Sequence, residues 1–84
     1  MFLEIRSERL VQRLLSQPES GMGYQIVTVV LVDGREFRRV VAVDGRLSDS
    51  TGAWAPPFEE GAIADLVVTH DRSGPPFEVR VSGT

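Results

Sequence analysis

The feature that most constrains this chain is the block Tyr24-Gln25-Ile26-Val27-Thr28-Val29-Val30-Leu31-Val32, followed at once by Asp33-Gly34. The block is dominated by β-branched residues, whose stiff side chains suit a pleated surface, and it contains no breaker. Asp-Gly is a strong hairpin turn. Arg35 to Val43 returns as a second strand and ends at another Asp-Gly, Asp44-Gly45. A chain with this hairpin at its centre has to build a sheet around it.

Parity sets the expected register. The most apolar alternation is Val27, Val29 and Leu31 in the first strand, and Phe37, Val41 and Val43 in the second. Paired residues share a face and their numbers have a constant sum, so odd meets odd only across an even sum. A three-residue loop, Val32-Asp33-Gly34, meets that condition. It pairs Leu31 with Arg35 and Val29 with Phe37, and it puts Gly34 in the left-handed position of a bulged turn. The opposite face carries Ile26, Thr28, Val30, Arg38, Val40 and Ala42. It is too apolar for free solvation, so other strands or another subunit should cover it.

The flanking segments read more simply. Ser7 is a helix N-cap and Glu8 suits the first turn. Leu10, Val11, Leu14 and Leu15 form one apolar stripe, with Arg9 and Arg13 outside it. Pro18 disfavours helix at Gln17, which bounds the helix to about residues 8–16. A helix that short has to dock on something. After the hairpin, strands over about 24–32 and 35–43, Gly45-Arg46-Leu47-Ser48 starts a short third strand. Residues 48–62 form a polar loop around Trp54 and Phe58. Further strands are expected over about 63–69 and 77–82, joined by a turn at Asp71-Arg72-Ser73-Gly74-Pro75-Pro76. The fold class is mainly β (α+β): one domain over residues 1–84, an N-terminal helix and then a four- to five-stranded antiparallel meander. It is a small barrel or a strongly twisted sheet.

The stretch Val27-x-Val29-x-Leu31-x-Asp33-Gly34-Arg35-Glu36-Phe37 through Val43-Asp44-Gly45 resembles the first half of an Sm-like fold, a small SH3-like β-barrel. The resemblance covers residues 25–45. It implies a short helix ahead of a bent five-stranded barrel, and assembly into a ring or dimer. Two positions depart from that pattern. The family has a Gly in the returning strand, where this chain has Arg38-Arg39. Its second motif has an Arg-Gly pair, and Leu66-Val67-Val68-Thr69-His70 offers none. The family's RNA-binding residues therefore have no positions here to occupy.

Composition narrows the function. A chain of 84 residues buries only about 60% of its unfolded surface, so its core is thin. It has no Cys, which excludes disulfides, thiolate metal sites and cysteine catalysis. A neighbouring subunit is the remaining way to extend such a core. The net charge is −3, whereas nucleic-acid binders carry a basic footprint. All nine cations are Arg, but Asn is absent along with Lys, as expected of a GC-rich genome. No apolar run is long enough to span a membrane, and the charged N-terminus does not read as a signal peptide, so a cytoplasmic protein is expected.

Few constellations suggest chemistry. His70 with Asp71 and Ser48, Ser50 or Ser73 makes a triad only on paper, because strand neighbours point to opposite faces. Glu59, Glu60, Asp65 and His70 lack the close spacing of a hard-metal cage. Gly21-Met22-Gly23 precedes a strand and does not open a helix, so phosphate-cradle logic fails. No enzyme activity, metal or cofactor is expected. Arg35, Arg38, Arg39 and Arg46 form a candidate anion or RNA patch, with Arg35 and Arg39 on one face by parity and Arg38 on the other. Trp54, in Ala53-Trp54-Ala55-Pro56-Pro57-Phe58, reads as a core plug, with an interface anchor as the alternative. Tyr24 and Phe58 join it as candidate contact residues. The resulting expectation is a non-catalytic β-domain acting through protein contacts, as a homo-oligomer or an accessory subunit. One alternative is an Sm-like single-stranded RNA binder stacking on Tyr24 or Phe37, and another is a hydrolase or metal enzyme built on His70.

Overall fold

The computed structural model describes residues 2–49, 54–75 and 77–81. Strand β1 (Leu3–Glu4) precedes helix α1 (Glu8–Leu15). The hairpin is β2 (Gln25–Leu31) and β3 (Arg35–Val43), and β4 (Arg46–Ser48) follows after a tight turn. A single 3-10 turn at Glu60–Ala62 leads into β5 (Ile63–Val68), and β6 (Glu78–Val81) ends the described chain. The six strands form one antiparallel sheet curled into a half-barrel, ordered β1-β4-β3-β2-β5, with β6 also on β3.

The hairpin obeys the parity expectation at its turn. Gly34 has φ 95 and its N–H donates to the Leu31 carbonyl at 3.0 Å. Val29 lies opposite Phe37, and both are buried. The expectation fails beyond Arg38. Val27 pairs with Val40, not with Arg39, because Arg38 and Arg39 together oppose Thr28. One extra residue flips every later side chain to the other face. Val40 and Ala42 therefore enter the core, and Val41 and Val43 face outward.

The inner face of the sheet holds the core. Val27, Val29, Leu31, Phe37, Val40, Leu47, Ile63 and Leu66 pack there with Leu10 and Leu14 from the helix. Burying two Leu side chains contributes about 4 kcal/mol, enough to order a helix that could not stand alone. Leu15, read as part of that stripe, is exposed. Ser7 occupies the N-cap position, but its side chain makes no cap hydrogen bond. The Glu60 carboxylate instead holds the chain just ahead of the helix, accepting from the N–H groups of Arg6 at 2.6 Å and Ser7 at 2.7 Å. The 3-10 turn is thus tied to the start of the helix. Among the described residues, no helix is long and apolar enough to cross a membrane.

The expected turn at 71–76 does not make a hairpin. β5 lies beside β2, whereas β6 pairs with β3, as Arg35↔Val81 through Arg38↔Glu78. The connecting chain has to cross the outer face of the hairpin to get there.

Candidate interaction surface

Arg39 organises the outer face. It has φ 60, inside the left-handed region that costs a non-Gly residue roughly 1–2 kcal/mol. Its guanidinium offsets that strain by clamping the crossover chain. It contacts Asp71 at 3.1 Å and Glu78 at 3.1 Å, and donates to the Pro75 carbonyl at 3.2 Å. Only 12% of the side chain is exposed, and Nε has no hydrogen-bond partner. Gly74 lies flat against the guanidinium, where a Cβ would collide. Pairing with two carboxylates makes the buried cation tolerable.

The four Arg residues read as a patch are therefore drawn apart. Arg38 shares the outer face with Arg39, and both reach Glu78, Arg38 at 3.6 Å. This corrects the parity assignment, since a bulge leaves two successive side chains on one side. Arg35 pairs with Asp33 at 2.8 Å and lies over the Phe37 ring. Arg46 covers the Phe2 ring. Phe37 itself is buried, with no face free for a base.

Beside the clamp is an open groove of about 500 Å³. Ile26, Val41 and Val43 form its floor, and Tyr24, Asp71 and Arg72 stand at its rim. Tyr24 is held by Arg72, whose Nη1 donates to its hydroxyl at 2.8 Å, and Gly21 leaves room for the ring. His70 meets Ser20 through Nδ1 at 2.7 Å, not Ser48 or Ser73. Ser50 lies outside the described residues. Ser20 Oγ also accepts from the Ile26 N–H at 2.8 Å, which ties the crossover to β2. The Asp71 carboxylate is engaged by Arg39 and Ser73. Its carboxyl is held below the usual carboxylate range, first by the Ser73 N–H and then by Ser73 Oγ and the Arg39 charge. Among the described residues, no group of three or more His, Asp or Glu side chains is placed to hold a metal ion.

Trp54 is 65% exposed, which corrects the core-plug reading. Phe58 fills that role, with its ring 4.9 Å from Phe37 at an interplanar angle of 60°. Pro56 is buried and Phe58 is partly buried against the core, whereas Trp54 is not.

The two long sheet edges are finished differently. On β5, Arg9 donates to the carbonyls of Ile63 and Ala64, and Gln17 bridges the Leu66 carbonyl at 3.0 Å and the Val68 N–H at 2.8 Å. Arg13 adds an ion pair to Asp65 at 2.9 Å. That hydrogen bond is the main reason the Asp65 carboxyl sits below its ordinary range. Side chains from the helix and its end thus stand where a further strand would bind. The outer edge of β6 has no such cover among the described residues. Val79 and Val81 are 51% and 53% exposed beside it. β1 is only two residues long and offers little to an incoming strand.

Sequence reading missed the Arg39 clamp, the Gln17 bridge and the open β6 edge. Arg38-Arg39 carried a signal for the first of these, because it stands where the family resemblance calls for Gly. Gln17 carried none, since a polar residue after a helix has many ordinary uses. No family model, no curated protein and no solved structure matches this chain.

Proposed function

We propose that this chain is a non-catalytic β-domain that works through protein contacts, by accepting an added strand on the outer edge of β6. One observation carries the reading: β5 is sealed by side chains of the helix and of Gln17 just after it, while among the described residues β6 has no such cover and has half-exposed Val79 and Val81 beside it. An unpaired row of backbone N–H and C=O groups is a template for another strand, and flanking apolar side chains add affinity. Trp54 and the groove at Tyr24 lie exposed as further contact area. Within this reading, two features support an Sm-like barrel. The helix precedes the five later strands, β2 to β6, and the backbone at Arg39 is left-handed where the resemblance calls for Gly.

RNA or anion binding along Arg35–Arg46 would have to compete with the Asp33, Asp71 and Glu78 carboxylates that already hold three of those cations. No separate observation favours it.

Sedimentation across about 1–100 μM, with affinity capture from cell extract, tests the contact reading. The expected result is self-association, or a retained partner that is lost when β6 is altered. A monomer that retains no partner would count decisively against it.

A further inference from the structure

We infer that the strand received by β6 is β6 of a second copy, antiparallel and centred on Val79. This rests on the contact reading above and names its partner. The segment Glu78-Val79-Arg80 is self-complementary when read backwards. With Val79 on the two-fold axis, Glu78 lies opposite the partner's Arg80, Val79 opposite the partner's Val79, and Arg80 opposite the partner's Glu78. Cross-strand neighbours of opposite charge attract, and apolar pairs on the axis exclude water.

Registers centred elsewhere within Glu78-Val79-Arg80 do less well. Centring on Arg80 sets Arg against Arg, and centring on Glu78 sets Glu against Glu. An axis between Val79 and Arg80 places each charge against a Val. A closed two-fold contact also ends the assembly at two copies on this edge, because each edge is used once.

The charges on β6 are prepared for such pairing. Arg80 is exposed and makes no ion pair or hydrogen bond among the described residues, although it lies across from Glu36. Glu78 is fixed in place by Arg39 and Arg38 and still has 40% of its side chain exposed. One member of each intermolecular pair is therefore already ordered, which lowers the entropy cost of meeting the free Arg80. Val79 lies across from the buried Phe37, so its side chain belongs to the inner face, yet it is half exposed at the open rim of the half-barrel. A second copy there would cover the apolar rim of both sheets.

Sedimentation equilibrium on the full chain tests the interface. The wild type is expected to dimerise in the micromolar range. Arg80→Glu should weaken the dimer at least tenfold, because it sets Glu against Glu twice, while Arg80→Lys should stay within about threefold. Arg80 is solvent-exposed, and circular dichroism of each variant checks that the fold is kept. The register is read separately, by oxidation. In this Cys-free chain, Val79→Cys should give a disulfide-linked dimer faster than Val81→Cys does. Undiminished dimerisation of Arg80→Glu, or faster linkage at 81 than at 79, overturns the inference and leaves the contact reading standing. A wild type that is monomeric throughout also overturns it, and leaves the β6 edge to a strand from a different protein.

Discussion

Strands β5 and β6 are both outer strands of one sheet, and they are finished in opposite ways. β5 lies under the helix, and Arg9, Arg13 and Gln17 occupy its outward groups. β6 is held from behind, by its ladder to β3 and by the Arg39 clamp, and its outer side is bare among the described residues. The difference shows where this fold keeps other chains away and where it admits one. Sealing an edge requires a neighbouring element with long polar side chains, and the helix can reach only one edge.

The largest expected effect comes from cutting the clamp. Arg39→Ala keeps the left-handed backbone strain and removes the guanidinium from Asp71, Glu78 and the Pro75 carbonyl. A loss of about 2–3 kcal/mol is expected in urea unfolding, at or just below the lower end of the range for breaking buried ion pairs because the carboxylates are half exposed. Amide exchange should speed up in β6 and stay slow in β5. Arg39→Gly should be more stable than Arg39→Ala by about 1 kcal/mol, since Gly adopts positive φ freely. If Ala proves the better substitute, the strain at this bulge is not real.

A smaller effect is expected on the sealed edge. Gln17→Ala removes the bridge to Leu66 and Val68 and hands those groups to water, at about 1 kcal/mol. The sharper readout is association. Opening β5 should create a second sticky edge, so the variant should form species larger than the wild type at equal concentration. An unchanged size distribution would mean that Gln17 does not guard the edge.

The smallest effect is pH dependence. The Asp65 carboxyl is lowered in the folded state from an ordinary value near 3.8. Its stabilising contribution is therefore fully present above that value and fades as the pH falls through the lower, folded one. Both partners are about 40% exposed, which limits the contribution to about 0.5 kcal/mol. Urea midpoints of the wild type and Asp65→Asn should differ at pH 6 and converge as the pH falls below 3.8. A gap that persists in acid would assign the effect to packing and not to charge.

Much of the architecture was legible because it is local. The β-branched run, Asp33-Gly34 and the Val29–Phe37 pairing follow from propensity, turn chemistry and parity within a few residues. The helix followed from the spacing of Leu10 and Leu14. Parity was lost at Arg38-Arg39, where an extra residue carries no marker when it is not Gly. Trp54 and Phe58 were exchanged in role because both are aromatic and their loop has no period to separate inside from outside. The β5–β6 connection looked like a hairpin turn, since Ser-Gly-Pro-Pro marks a bend equally well in a crossover.

Propensity and turn chemistry alone dictate one short helix and a strongly twisted antiparallel sheet built on a central hairpin. Chain length dictates a thin core, because 84 residues bury a smaller share of their unfolded surface than a larger domain does. Which sheet edge is covered and which is not, among the described residues, is settled by the folded packing. That choice depends on contacts between residues about fifty positions apart, Gln17 with Val68 and Glu60 with the start of the helix. Such contacts leave no periodic trace in the sequence, since each is one side chain meeting one backbone group after the fold has brought them together.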